Sequence, residues 1–206
     1  MQDFLEMDRR SLMKNVALLL GAASVPTLAG CKAAMQGDGT LSGDAFKTLA
    51  AVADTIIPVT DTPGALAAKV PELLNGLLRD WASDQTRTDL AGVVDAIAKA
   101  AQDAHKKPFA ELDAATRLKS LTAFEAEALK DGPPPKVKPT GLAAMAKGKP
   151  VMNPAYVKLK GLIINLYYNS EIAMTKELVY EHVPGPFVAS MKVTPETRPF
   201  AGPGPQ

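Results

Sequence analysis

The sequence contains one cysteine and two histidines among 206 residues, and its charges nearly cancel. A single cysteine excludes an internal disulfide, an all-cysteine zinc site and an iron–sulfur cluster held by cysteines of this chain. The 23 basic and 22 acidic residues leave a net charge of +1. Such a balance argues against a nucleic-acid binder, because those proteins carry a basic excess. The apolar fraction of 47% is ordinary for a globular protein and excludes wholesale disorder.

The common cofactor motifs are missing as well. The sequence has no Gly-x-Gly-x-x-Gly motif after a strand, no Gly-x-x-x-x-Gly-Lys-Ser/Thr phosphate loop and no Cys-x-x-Cys-His haem-attachment motif. His105 and His182 lie 77 residues apart, and neither has a second metal ligand at helical spacing. We expect His105 to sit at a helix C-terminus, where positive charge suits the dipole. Glu125 and Glu127 are predicted to be solvated surface residues. We therefore expect no cofactor, no metal and no catalytic residue in this chain.

The N-terminus has the features of an export signal. Arg9 and Arg10 are followed by Lys14 and then by an apolar run over residues 16–23. Eight apolar residues cannot cross a bilayer core, which needs about 20. A charged start before a short apolar run is typical of a signal peptide, and the paired arginines resemble the twin-arginine signal. We expect residues 1–30 to direct the folded chain to the periplasm through the twin-arginine (Tat) translocase.

The single cysteine follows directly on this segment. The string Leu28-Ala29-Gly30-Cys31 resembles the cleavage box of bacterial lipoproteins, in which the thiol receives a diacylglycerol. Acyl chains at Cys31 would hold the mature chain at a membrane. The alternative is a free thiol near an ordinary cleavage site. Residues 31–41 are predicted to be a flexible tether.

The rest of the chain predicts a single all-α domain over residues 42–190. Apolar residues recur at steps of three and four between prolines and capping residues, and no run of alternating residues indicates a strand. An apolar stripe from Leu73 to Trp81 is predicted to face the core, and Thr62 is predicted to cap a short helix. The predicted helices cover residues 42–57, 63–69, 71–81, 84–105, 113–131, a segment from 153 to about 168, and 171–178.

Two segments lack a helical period. Residues 132–152 form a predicted loop, and between positions 136 and 160 the chain carries lysines and no acid, at 136, 138, 147, 149, 158 and 160. This basic segment suits an acidic partner surface or anionic lipid, or it is a solvated loop. From residue 183 to the end, six prolines and three glycines predict an extended tail, of which residues 191–206 lie beyond the domain.

Two stretches carry a family resemblance. The first runs Asp54-Thr-Ile-Ile-Pro and then Asp61-Thr-Pro63-Gly64, and the second runs Tyr167-Tyr168-Asn-Ser-Glu171 and then Val-Pro184-Gly185-Pro. In this order, behind a twin-arginine signal, they resemble the gluconate 2-dehydrogenase subunit 3 family. The resemblance covers most of residues 44–190. One departure is that Phe187-Val188-Ala189-Ser190 lacks the cysteine that some relatives have there, so an intersubunit disulfide is not available.

The resemblance implies a non-catalytic small subunit of a membrane-associated FAD-dependent dehydrogenase of sugars or sugar acids. In that family, FAD belongs to a large subunit of the glucose–methanol–choline oxidoreductase type, and a multi-haem cytochrome c subunit often takes the electrons. The small subunit carries the export signal and escorts the folded large subunit. The alternative is an independent periplasmic lipoprotein with a helical binding domain.

The motif residues allow two interpretations. They could contact the partner subunit, or Asp54 and Asp61 could cap helices or brace the loop over residues 58–64. Tyr167 and Tyr168 are adjacent in a predicted helix and must point in different directions. We expect one of them in the core and the other exposed or at an interface.

Overall fold

The computed structural model describes residues 35–41, 43–134, 149–180, 186, 189–190, 192–195 and 197–201. The predicted export residues Arg9, Arg10 and Lys14 lie outside the described residues, as does Cys31. So do His182, Pro184, Gly185 and the lysines at 136, 138 and 147.

The described residues form helices joined by short turns, with isolated β-bridges and no strand. This confirms the predicted all-α class. None of the described helices is long and apolar enough to cross a membrane. The helices are α1 (Gly43–Ile56), α2 (Val70–Asp80), α3 (Asp84–His105), a 3-10 turn (Phe109–Glu111), α4 (Ala114–Ala128), α5 (Pro154–Tyr168) and a π-helical turn (Ala173–Glu177).

Side-chain caps fix three of the helix starts. Ser83 Oγ accepts a hydrogen bond from the backbone N–H of Thr86 at 3.3 Å at the start of α3. At the start of α4 the Asp113 side chain accepts from the backbone N–H of Thr116, and at the start of α5 the Asn153 side chain accepts from that of Tyr156, both at 3.0 Å. The backbone N–H groups of the first helical turn have no acceptor within the helix, and these side chains supply one. Residues of these types therefore predicted the helix starts correctly.

The core lies where α5 packs against α2, α3 and α4, while α1 packs against α2, α3 and α4 from the other side. Its centre consists of large side chains that are at most 2% exposed. They are Leu49, Val52, Val70, Leu74, Leu78, Leu90, Ile97, Phe109, Tyr156, Leu159, Ile163 and Tyr167.

Two predictions around α2 are wrong. Residues 65–69 form turns and no helix; Lys69 has a φ of 54° in the left-handed region, which ends the helical path before α2 begins. The predicted apolar stripe also divides: Leu74 and Leu78 are buried, but three of its members face solvent. The five apolar residues of the predicted stripe cover a wider arc of the helix than the arc that packs on the core, so some of them remain outside it. The exposed members are Leu73, Leu77 and Trp81.

The segment predicted as a tether is packed against the domain over its described part. Met35 and Leu41 form an antiparallel bridge, and Leu41 is buried. The side chain of Asn75 on α2 accepts from the Leu41 N–H at 2.7 Å and donates to the Leu41 carbonyl at 3.2 Å. The amide group thus replaces the backbone partner that Leu41 lacks at this edge.

The two ends of the loop over residues 132–152 are joined by backbone hydrogen bonds. Asp131 and Val151 form an antiparallel bridge, and Gly132 N–H donates to the Pro150 carbonyl at 2.9 Å. Met152 N–H donates to the Lys130 carbonyl at 2.8 Å. These bonds join the end of α4 to the start of α5, so the two ends of the loop lie side by side.

The prediction that Glu125 is a solvated surface residue is wrong. Its carboxylate on α4 accepts from Lys160 Nζ on α5 at 2.7 and 2.9 Å, and from the Tyr156 hydroxyl at 2.8 Å. The hydrogen bond from Lys160 holds the pKa of Glu125 below its usual value. Burial raises the pKa of Tyr156. One of the six lysines of the basic segment is therefore neutralised within the chain, while Glu127 is exposed as predicted.

We expect Glu125→Gln to lower the free energy of unfolding at pH 7 by about 1 kcal/mol, since it removes a charge-assisted hydrogen bond. A carboxylate whose pKa is depressed by folding stabilises above its unfolded pKa and loses that effect as the pH falls through its folded pKa. The difference between variant and wild type should therefore disappear in acid. Urea unfolding from pH 7 to pH 3 measures it.

Glu127→Gln is the matched control, because its exposed pair with Lys130 is expected to contribute little. Equal effects of the two substitutions at pH 7 would contradict the assigned role of Glu125.

Candidate functional site

The two motif stretches meet at the loop over residues 58–64, which follows α1. The Tyr167 hydroxyl on α5 donates to the Pro63 carbonyl at 2.6 Å, across 104 residues of sequence. Tyr167 is 2% exposed, and its burial raises its pKa. Tyr168, which stacks edge-on against it, is 42% exposed. The prediction of one core and one exposed tyrosine is confirmed.

A second contact joins the loop to the π-helical turn. The Thr62 hydroxyl donates to Glu177 Oε2, and Thr62 is buried. Its carbonyl accepts from the Thr60 N–H at 3.0 Å, which tightens the loop. The predicted role of Thr62 as a helix cap is wrong, because no helix follows it and its hydroxyl is used across the domain. Glu177 also belongs to the second stretch that carries the family resemblance, but the sequence did not indicate its contact with Thr62, since nothing local marks a carboxylate that faces a residue so distant in sequence.

Gly64 lets the loop return against the end of α1. The Ala65 N–H donates to the Ile57 carbonyl at 2.9 Å. A Cβ at position 64 would lie 2.7 Å from both the Ile57 carbonyl oxygen and the Pro58 carbonyl carbon. These are backbone atoms that cannot rotate away, so a side chain there would push the loop off α1. The Pro63-Gly64 pair is thus required by packing.

A residue of the C-terminal tail is hydrogen-bonded to the same loop. Arg198 donates to Asp61 Oδ2 at 3.0 Å and to the Lys176 carbonyl at 2.8 Å. Beside it, Val179 and Phe200 form a parallel bridge, with Val179 donating to the Pro199 carbonyl at 2.9 Å. The described part of the tail is non-helical, as predicted, and it lies on its own domain. Asp61 therefore braces the loop and does not cap a helix.

Asp54 serves a different contact. Its carboxylate on α1 pairs with Arg117 on α4 at 3.1 Å, and both side chains are largely buried. Arg117 Nε is buried without a partner among the described residues. Asp54 therefore joins two helices and does not cap one. Glu171, another motif residue, is exposed, and its carbonyl accepts from the Thr175 hydroxyl at 2.7 Å.

Few of the described side chains are arranged for chemistry. No group of three or more His, Cys, Asp or Glu residues that could hold a metal occurs in the described part of the chain. His105 ends α3 as predicted, and its Nε2 lies 2.8 Å from Ser120 Oγ beside a cleft of about 490 Å³. The hydrogen bonds of the described residues give this pair no carboxylate to orient the imidazole, as a nucleophile–base pair would need.

The polar groups of the motif loop are therefore engaged within the chain. Loop, π-helical turn and tail form one unit, which we call the motif cluster, consisting of residues 58–64, 167, 173–179 and 197–201. Three charged or hydroxyl contacts hold it together, made by Tyr167, Thr62 and Arg198. This arrangement is suited to fixing a shape.

The family model for gluconate 2-dehydrogenase subunit 3 matches residues 44–185, which is 142 of the 206 residues. The matched range includes the first motif stretch, the second as far as Gly185, and every α-helix of the described domain apart from the first residue of α1. No curated protein and no solved structure matches the chain.

The close approach at Gly64 predicts that Gly64→Ala lowers the free energy of unfolding by about 1–3 kcal/mol, because loop backbone must move to admit the methyl group. Gly76→Ala on α2 is the matched control. A Cβ there meets nothing within 4 Å, and alanine is favoured over glycine inside a helix by about 1 kcal/mol. Thermal unfolding of the two variants should shift in opposite directions, and a shift in the same direction would contradict the packing role of Gly64.

Proposed function

We propose that this chain, which belongs to the gluconate 2-dehydrogenase subunit 3 family, is the non-catalytic small subunit of an exported FAD-dependent dehydrogenase. The flavin belongs to a larger partner subunit that oxidises a sugar or sugar acid. A multi-haem cytochrome c subunit is the expected electron acceptor in such a complex. The observation that carries the proposal is the family match over residues 44–185, behind the paired Arg9 and Arg10.

The export signal supports an escort role. The twin-arginine translocase moves folded proteins, and a flavoprotein must bind its cofactor before it leaves the cytoplasm. A small subunit that binds the flavoprotein and carries Arg9, Arg10 and Lys14 would supply the signal for both chains. On this proposal the complex works in the periplasm, at the outer face of the inner membrane.

The motif cluster supports a structural role in that complex. The buried Tyr167 and Thr62 and the partly exposed Arg198 each bond another part of the same chain. Groups engaged in this way stabilise a loop, and they are poorly placed to take up or release a proton during a reaction. We propose that the cluster fixes the shape that the partner subunit binds.

Membrane attachment is a second proposal, favoured by one specific observation. The string Leu28-Ala29-Gly30-Cys31 has the only cysteine of the chain at the position that lipidation requires. A diacylglycerol at Cys31 would anchor the complex, or would anchor an independent periplasmic lipoprotein if no flavoprotein partner exists. Cys31 lies four residues before Met35, the first residue that the structure describes.

Replacing both Arg9 and Arg10 by Lys tests the escort role in the native host. We expect the flavin-containing subunit to remain in the cytoplasm, because the translocase recognises the paired arginines of the small subunit. The measurement is the distribution of that subunit and of its dye-linked dehydrogenase activity between cytoplasm and periplasm. A matched control is Arg79→Lys, an exposed position on α2 outside the signal.

An unchanged periplasmic fraction of the flavoprotein in the Arg9→Lys, Arg10→Lys variant would sink the escort role. If the host contains no flavoprotein whose location follows this chain, the independent lipoprotein becomes the better account.

A further inference from the structure

One side of α2 exposes large apolar side chains to solvent. Leu73, Leu77 and Trp81 are 45%, 37% and 84% exposed, and their spacing of four residues places them on one side of the helix. Trp81 is the only tryptophan of the sequence. Clustered exposed side chains of this size mark interaction sites on soluble domains more often than they occur by chance.

Leu77 and Trp81 border a groove of about 440 Å³ between α2, the start of α3 and α5. Its floor is apolar and consists of side chains that also belong to the core, among them Leu74, Leu78 and Leu90. The groove is therefore continuous with the interior of the domain. A side chain inserted into it would be packed as in a core and shielded from water.

The rim of the groove carries an uncompensated positive charge. Lys158 Nζ on α5 donates to Thr86 Oγ1 at 2.9 Å, and no ion pair of the described residues includes Lys158. The two acids that flank the groove residues between α2 and α3 are paired with arginines, Asp80 with Arg79 and Asp84 with Arg87. The groove thus offers apolar anchoring sites beside a cation that suits a carboxylate.

We infer that this groove, formed by Leu77, Trp81 and Lys158, is the docking site for a segment of the flavin-containing partner subunit. The segment carries apolar side chains that enter the groove and an acidic side chain that reaches Lys158. The inference rests on the proposed function, because it takes its partner from that proposal. It adds the surface and the chemistry by which the two subunits recognise each other.

Charge and occupancy favour this partner over the alternatives. A second copy of the chain, pairing groove to groove, would bring the same residues to both sides, and no acid among the described residues lines this groove to meet Lys158. The motif cluster is a poorer docking site, because its polar groups, among them Asp61 and Thr62, are already bonded to other parts of the same chain. Tryptophan is also one of the residue types that dominate binding energy at the centres of interfaces.

Site-directed photocrosslinking in the intact complex tests the inference. The full chain with p-benzoylphenylalanine in place of Leu77 is expressed with its partner in the native host, illuminated and purified. We expect a crosslinked product that contains this chain and the flavin-containing subunit. The same photoreactive residue in place of Leu118, which is 56% exposed on α4 and outside the groove, is the matched control and should give no such product.

Binding variants give a second readout. Trp81→Ser should weaken association with the flavin-containing subunit at least tenfold. Lys158→Glu should also weaken association, and its effect should be larger at low salt than at high salt. Leu118→Ser should leave the affinity unchanged. All three positions are exposed, so the variants should retain the wild-type melting temperature, which separates lost docking from lost folding.

The outcomes separate the two claims. If the wild-type chain purifies without a flavin-containing subunit, the proposed function fails and this inference fails with it. If the complex forms but the residue at 77 crosslinks to a second copy of this chain, to lipid or to nothing, the groove is not the docking site while the proposed function stands. Full affinity of both Trp81→Ser and Lys158→Glu would overturn the inference in the same way.

Discussion

The hydrogen bond from the Tyr167 hydroxyl to the Pro63 carbonyl is the contact on which the motif cluster depends. It fixes the loop after α1 against the last turn of α5, although the two residues are 104 positions apart. A buried phenol needs such a partner, because an unbonded hydroxyl in the interior is costly. With the loop held there, Thr62 reaches Glu177 and the tail residue Arg198 reaches Asp61.

Local features of the fold could be predicted from the sequence, and distant contacts could not. Capping residues such as Ser83 and Asp113 act within one turn, so they marked helix starts correctly. Resemblance identified Tyr167, but the sequence did not indicate that it bonds Pro63. Glu125 and Arg198 were missed for the same reason, since their partners come from other elements. The prediction that the whole apolar stripe on α2 faces the core was wrong, because periodicity gives the direction of the apolar face and not its width.

The motif cluster and the groove beside α2 differ in how their side chains are engaged. The motif cluster directs its polar groups into its own chain, and the tail residue Arg198 pairs with Asp61 of its loop. The groove beside α2 does the opposite, because it leaves leucines, a tryptophan and a lysine without partners that would shield or neutralise them. On our account the first region maintains the shape of the small subunit and the second recognises the flavoprotein. The chemistry of sugar oxidation then belongs to the partner.

The central claim is that this chain works as a subunit of a flavin-dependent dehydrogenase. The most direct measurement is the visible absorption spectrum of the wild-type chain purified by affinity tag from its native membranes, together with the masses of the co-eluting chains. The account predicts flavin absorbance in stoichiometric amount, carried by a second chain of about three times the mass of this one, which is 21.7 kDa. A colourless preparation containing this chain alone would contradict it.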